Sequence, residues 1–536
     1  MSHLLDKEIN KKVFLEYFLV ILFFSLLIFL YFYWVLPSFF HSVIYLKTGD
    51  HFLHLWLYKW YAKTLFHNPF NLLNTNNFYP NKHTLLFSDI EFFNGFIAAI
   101  LIKLFKWSDV LTYNFILFLS LVVSGVFHYI LAKYLFRNPT TSLIVSLLFL
   151  LTPVRYNFFA SPQLIFTGFI SLFFLCLFRY NDTLKLRWLI YSNVILFCQY
   201  IQAGYYFIFL IFGYLIFLII FLFKRPAAHH YLLSLILTFV LNYPVYKLYS
   251  KVMEEHNMER SIQEVANDSL NFTQYLSSYK KNFSDGELLY PRPLHLFPGF
   301  ILILLSIAGL YLSFKTDKHY GILISSLLIF YIVVSFGTNG PYIFFYKYFE
   351  PLKRMRAVWR AYVLAVFLMS ILSGIMLNKI LELKYRRIIV TIILIVQFMI
   401  FPYIKINTQQ IPLLTEKSKI NYFLSNLSKN TGVIMLPLHS IYSGYYLYFS
   451  SFHWMGLYNG YSGFIPKDYE NEYFCLLNFK ENEWLDILKK KDIKYIVIHR
   501  TALTEERLNM IHNILKKEKI KLVMEEGNVE LCGIEE

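Results

Sequence analysis

The chain has 536 residues, of which 57% are hydrophobic and only 16% charged, with a mean hydropathy of +0.47. One or two soluble cores cannot hide that much apolar surface, so a water-soluble globular class is excluded and lipid must cover the rest. The formal net charge of +16 would suggest nucleic acid in a soluble protein. Here Lys and Arg lie mostly in short loops between apolar runs, the charge bias of a membrane protein, and no nucleic-acid partner is expected.

A membrane span needs about 20 apolar residues. Lys7, Lys11 and Lys12 precede an apolar run from Val13 to about Leu36. That run is too long for the core of a signal peptide and reads as a retained first span. A long loop, 37–109, follows. It opens on Thr48-Gly49-Asp50-His51, which places Asp50 near the membrane–water boundary. Asp50 reads either as the cap of an amphipathic helix over Phe52–Leu65 or as a general base facing a membrane-bound substrate. Asp89 and Glu91 form a second acidic pair in the same loop. They read as caps of the following helix, or as metal ligands or acidic partners of Asp50. Asp50 with His51 and His54 is a further candidate set of ligands, so a divalent metal is the one cofactor the sequence raises.

The run 92–106 is short for a span. Ten more candidates follow at 110–134, 141–157, 163–180, 187–201, 203–223, 229–249, 297–314, 319–335, 360–379 and 386–404, making about eleven in all. If 92–106 lies in the membrane plane, the basic loops collect on one side. If it crosses, every later loop flips and the bias inverts. The positive-inside rule therefore predicts an in-plane helix, a cytoplasmic N-terminus and an extracytoplasmic C-terminus. Three long outer segments result, 37–109, 250–296 and everything after 405, with a shorter one at 336–359.

Between the third and fourth spans stand Arg155 and, after Ser161-Pro162, Gln163. Arg155 either snorkels to headgroups or grips a phosphate. In the outer segment 336–359 and the residue that follows it, Lys353, Arg354, Arg356 and Arg360 cluster against the inside-positive bias, which suggests an anionic ligand such as a lipid-linked phosphate. After about residue 415 the apolar runs shrink to strand size, at Gly432–Pro437 and Lys494–His499. Helical patterns lie at Ser418–Leu427, Glu483–Lys490 and Glu505–Lys517, and a hairpin is predicted around Gly527-Asn528. Cys475 and Cys532 lie in this part and would pair only in an oxidising compartment. The aromatic stretch Tyr442–Tyr461 reads either as a sugar-stacking surface or as packing.

Gly49-Asp50, a helix carrying Trp56 and Trp60, Phe78-Tyr79-Pro80, Ser88-Asp89, the in-plane helix and Pro153-Val154-Arg155 together resemble the GT-C superfamily of integral-membrane glycosyltransferases. Leu296-Phe297-Pro298-Gly299, Arg354–Arg360 and Tyr458–Phe464 add to the likeness, which is strongest for YfhO-type bacterial membrane proteins. The resemblance implies a polyprenyl-phosphate sugar donor, transfer of the sugar to a glycan or lipid acceptor on the outer face of the bacterial plasma membrane, and Asp50 as the base. Asp89, Glu91, Arg155, Gln163, Arg354, Arg356 and Arg360 are then the expected substrate-binding residues. Two departures stand out. The outer turn after the third span offers Arg155 and Gln163 where many members carry an acid, and the paired acids of the first loop are reduced to Asp50 followed by His51. The expected fold class is thus mainly α: a polytopic membrane module over 1–404 with a small extracytoplasmic α/β domain over 405–536. The rival readings are a lipid or glycan transporter and a non-catalytic envelope assembly protein.

Overall fold

A computed structural model describes residues 2–45, 50–224, 228–276, 296–400, 407–410, 418–427, 431–478 and 483–534. Thr48-Gly49, much of the outer segment 250–296 and the end of the last expected span lie outside the described residues. The chain forms two compact units. One comprises Met1–Leu36, Leu117–Tyr246 and Glu259–Ile406; the other comprises Pro37–Ile116, Lys247–Met258 and Asn407–Glu536.

The first unit is a helix bundle. Each of the eleven stretches read as spans carries helix. Six helices are long and apolar enough to cross a membrane: Lys12–Tyr31, Asp109–Phe136, Pro162–Thr183, His229–Glu255, Lys318–Ser335 and Val358–Ile380. Shorter apolar helices include Pro139–Leu150, Gly204–Ile220 and Phe300–Thr316. The chain is a multi-pass membrane protein. Close approach of backbones binds the bundle where small residues allow it. A Cβ on Gly309 would lie 1.9 Å from the carbonyl oxygen of Leu372, so the helices Phe300–Thr316 and Tyr362–Ile380 meet backbone to backbone. Buried polar groups join helices too: His128 sits 3.2 Å from Ser171 Oγ and 2.9 Å from Ser370 Oγ.

The expected spans 141–157 and 163–180 are interrupted. The helix Pro139–Leu150 stops before Thr152, and single turns follow at Pro153–Tyr156 and Pro162–Ile165. Regular helix resumes at Gly168. Pro153 and Pro162 cause the breaks, because a proline lacks the N–H that would continue the ladder and its ring clashes with the preceding turn.

The second unit is built on a five-stranded sheet. With β1 Ser42–Tyr45, β2 Asn407–Gln410, β3 Gly432–Leu436, β4 Gly456–Leu457, β5 Ile493–His499, β6 Lys521–Glu526 and β7 Val529–Gly533, the order is β4-β3-β5-β7-β6, and β1 and β2 pair separately. The β3–β4 and β3–β5 pairs are parallel; β5–β7 and β7–β6 are antiparallel. Parallel neighbours need crossovers. The helix Ser440–Ser450 supplies one, and Lys467–Leu477 with Glu483–Lys490 supplies the other. The predicted hairpin turns at Gly527, whose φ of +59° suits glycine. All four cysteines are free thiols.

The region after residue 405 shares this unit with the first outer loop. The helix Asp50–Thr64 packs on Ser440–Ser450 and on Phe92–Lys103. Gly95 permits the second contact, since a Cβ there would lie 2.4 Å from the Tyr61 ring. Phe92–Lys103 has twelve residues, about 18 Å of helix against about 30 Å of hydrocarbon, a length that suits a helix lying in the plane. The aromatic stretch of Tyr442–Tyr461 is largely committed to packing: Phe52 faces Tyr445 and Tyr448, and Trp60 contacts Trp454 at 5.5 Å.

Candidate functional site

Two groups of polar residues stand out, one in each unit. In the second unit, Asp50 occupies the first turn of the helix Asp50–Thr64, where the exposed helix N–H groups favour a carboxylate. It is exposed, and the Tyr461 hydroxyl donates to its Oδ1 at 2.7 Å. Tyr461 is held from the first loop. Asn77 Nδ2 donates to the Tyr461 carbonyl at 3.1 Å, and the Tyr461 N–H returns a bond to Asn77 Oδ1 at 3.3 Å. Phe78 lies flat against Gly460, where a Cβ would come within 1.8 Å of its ring. Tyr79 does the same against Gly432 and Gly456. The segment Asn76–Tyr79 hydrogen-bonds along β4, with Leu457 N–H to Asn76 O at 2.7 Å and Tyr79 N–H to Leu457 O at 2.9 Å. The two motifs Phe78-Tyr79-Pro80 and Tyr458–Phe464 are therefore one packed unit whose product is the position of the Tyr461 hydroxyl.

His54 is one helical turn after Asp50 and shares its face. Its Nδ1 lies 2.9 Å from Glu91 Oε1, and both side chains are almost wholly buried, at 2% and 1% exposure. Burial lowers the His54 pKa, but Glu91 beside it outweighs that effect and the net direction is up. Burial pushes the Glu91 carboxyl up as well, against the pull of His54. Glu91 takes the left-handed conformation, φ +53°, ahead of the helix Phe92–Lys103, and its side chain makes no cap. The capping role expected of Asp89 is not what the chain adopts, because Glu91 occupies the N-cap position and turns inward to His54. Asp89 is partly buried and acts electrostatically on both His54 and Glu91. Glu91 is thus placed to hold His54 rather than to touch a substrate.

Among the described residues no group of three or more His, Cys, Asp or Glu is arranged to hold a metal ion. Asp50 is engaged by Tyr461 and Glu91 by His54, while buried His51 stacks between Tyr45 and Phe52. This donor set does not fit the divalent metal considered from the sequence.

In the first unit two of the predicted basic residues, Arg356 and Arg360, meet at Tyr205. The Arg360 guanidinium lies 4.2 Å from the centre of its ring. The N–H groups of Arg356 and Ala357 donate to its hydroxyl at 3.2 and 3.4 Å. Arg356 Nε is 2.8 Å from Asp268, and Arg354 lies over Tyr246 at 6.0 Å. The sequence reading missed a fourth member, Arg260, paired with Glu264 at 3.1 Å and close enough to Arg356 that burial and that neighbour both lower its pKa. Its signal was present as one of several basic residues of the segment 250–296. Among the described residues, the carboxylates of Asp268 and Glu264 pair with Arg356 and Arg260.

Arg155 and Gln163 stand elsewhere in the first unit, in the interrupted segment. Arg155 is 2% exposed, with Nη2 donating to the Ile165 carbonyl and the guanidinium 4.9 Å from the Phe149 ring centre. Gln163 is buried. Neither joins the Tyr205 cluster through a hydrogen bond or ion pair.

No protein-family model matches the chain, and no curated protein sequence matches it. Its fold is similar to that of solved structures. The archaeal oligosaccharyltransferase AglB from Archaeoglobus fulgidus, solved with an inhibitory peptide and a dolichol-phosphate, superposes with a TM-score of 0.52 at 12% identity, over 90% of this chain and 69% of that one. The arabinofuranosyltransferase AftD from Mycobacteria superposes with a TM-score of 0.61 at 10% identity, over 97% of this chain but only 40% of the larger protein. These likenesses establish a fold shared with these two solved structures.

Proposed function

We propose that the chain is a membrane glycosyltransferase that moves a sugar from a polyprenyl-phosphate-linked donor to a glycan or lipid acceptor of the cell envelope, on the outer face of the bacterial plasma membrane. The observation that carries this reading is an exposed carboxylate, Asp50, oriented by the Tyr461 hydroxyl, in a chain with the fold of membrane glycosyltransferases. The eleven-span topology, the extracytoplasmic side of the second unit and the narrower likeness to YfhO-type proteins belong to the same reading.

The chemistry is a direct displacement at the anomeric carbon. Asp50 takes the proton of the acceptor hydroxyl as the new C–O bond forms, a role general bases fill for about 10²- to 10⁴-fold in rate. The bond from the anomeric carbon to the phosphate oxygen breaks, and its electron pair leaves with the phosphate. In the first unit, Arg354, Arg356 and Arg360, with Arg260, are the proposed phosphate-binding residues, a planar guanidinium being suited to phosphate oxygens. A single displacement inverts the anomeric centre. No step is routed through a metal.

One observation favours a second reading. A broken, buried turn with an arginine inside a helix bundle is also how transporters build substrate sites. The two are separated by incubating purified protein in detergent with a panel of radiolabelled polyprenyl-phosphate sugars, wild type against Asp50→Asn. Consumption of a donor by wild type but not by Asp50→Asn supports the transferase and the base together. Equal activity keeps the transferase and moves the base to Asp89. No consumption of any donor, with donor flipping in vesicles, replaces the transferase by the transporter.

A further inference from the structure

The segment Leu151–Thr167 is irregular backbone enclosed in the bundle. Most of its residues are buried, and its main-chain groups are satisfied by neighbours. Tyr206 donates to the Leu164 carbonyl at 2.8 Å, Thr167 N–H donates to Ser124 Oγ at 2.9 Å, and Arg155 Nη2 donates to the Ile165 carbonyl. The side chains are not satisfied. Arg155 Nε and Nη1, Thr152 Oγ1, Thr167 Oγ1 and Gln163 Oε1 are all buried with no hydrogen-bond partner among the described residues. Thr152 and Thr167 are fully buried. Among the described residues no carboxylate pairs with Arg155.

A buried charge without a counter-ion costs several kcal/mol even after relaxation. The contact with Phe149 and the bond to Ile165 return only part of that cost. The remainder calls for an anion. A planar guanidinium with free N–H groups and two free hydroxyls is the donor set for an oxyanion. The Gln163 amide adds a donor if its oxygen and nitrogen exchange places.

We infer that the broken turn Leu151–Thr167 encloses a binding site for a phosphate-class oxyanion, with Arg155 as its fixed cation and Thr152 and Thr167 as hydroxyl donors. The anion is either the headgroup of a lipid phosphate or free phosphate. The site is separate from the Tyr205 cluster and is read by binding rather than turnover, so its failure and that of the transferase reading are distinguishable.

The test uses the full chain purified in detergent and phosphate-free buffer. Inorganic phosphate and, separately, a polyprenyl monophosphate are titrated while the unfolding midpoint and the retention of ³²P-labelled ligand are followed. Wild type is expected to gain stability saturably, as a ligand selective for the folded state must produce. The affinity should fall at least about tenfold in Arg155→Met, which is about 1.4 kcal/mol, and partly recover in Arg155→Lys. Thr167→Val serves as a second variant if Arg155→Met does not fold. A response to both ligands marks a free phosphate site, and a response to the lipid alone marks a headgroup site. Wild-type affinity in Arg155→Met, loss of binding in Arg356→Ala instead, equal stabilisation by chloride, or no binding of either phosphate each overturns the inference.

Discussion

Each unit buries a basic side chain almost completely, and the two are treated in opposite ways. In the second unit His54 meets Glu91 at 2.9 Å, and the pair is electrically self-contained. In the first unit Arg155 has one carbonyl, one aromatic face and, among the described residues, no carboxylate. Burial of charge is therefore not one phenomenon in this chain. A paired charge beneath a helix fixes geometry, here that of the turn carrying Asp50. An unpaired charge in a broken segment stores an unmet electrostatic demand that a ligand can satisfy.

That contrast is open to measurement. The largest expected effect is on stability. Glu91→Leu leaves His54 buried without its partner and should cost about 3–5 kcal/mol, seen as a lower unfolding midpoint, while the double variant His54→Leu, Glu91→Leu recovers much of the loss. Arg155→Met in phosphate-free detergent should change stability by no more than about 1 kcal/mol, because it removes an unpaired charge as well as a contact. A loss as large as that of Glu91→Leu would erase the distinction. Next comes Tyr461→Phe, which removes the hydroxyl from Asp50 and should lower transfer by about tenfold, or about 1.4 kcal/mol in the barrier, with the unfolding midpoint unchanged.

The smallest effect sharpens the pairing through pH. His54 has its folded pKa raised above 6.5. Its contribution is fully present below about pH 6.5 and is lost as pH rises through the folded value. His453, buried near Lys63, is pushed down to about 3, so its contribution is present above about pH 6.5 and is lost as pH falls toward 3. The unfolding midpoint should therefore fall on both sides of about pH 6.5, and the double variant His54→Leu, Glu91→Leu should flatten the alkaline side alone.

Much of this was legible in the sequence for physical reasons. Apolar runs of span length must be helices in lipid, and the strands at Gly432–Leu436 and Ile493–His499 announced themselves by β-branched runs. The short apolar run ahead of Asp109 was read as too short to cross, and its helix measures twelve residues. What was not legible depends on contacts far apart along the chain. Asp50 and the arginines were picked from charge and place, but nothing local tells that Glu91 turns inward to His54, or that Tyr461 reaches Asp50. The breaks at Pro153 and Pro162 could be located from proline chemistry, yet the burial of Arg155 between them depends on helices that arrive later.

The hydroxyl that orients Asp50 arrives from 411 residues downstream. At about 5–20 residues per second of synthesis, the carboxylate precedes its partner by roughly 20–80 s. Phe78 and Tyr79 likewise wait for the glycines they rest against. A ribosome-bound or truncated chain that stops short of residue 461 thus carries Asp50 without its orienting hydroxyl.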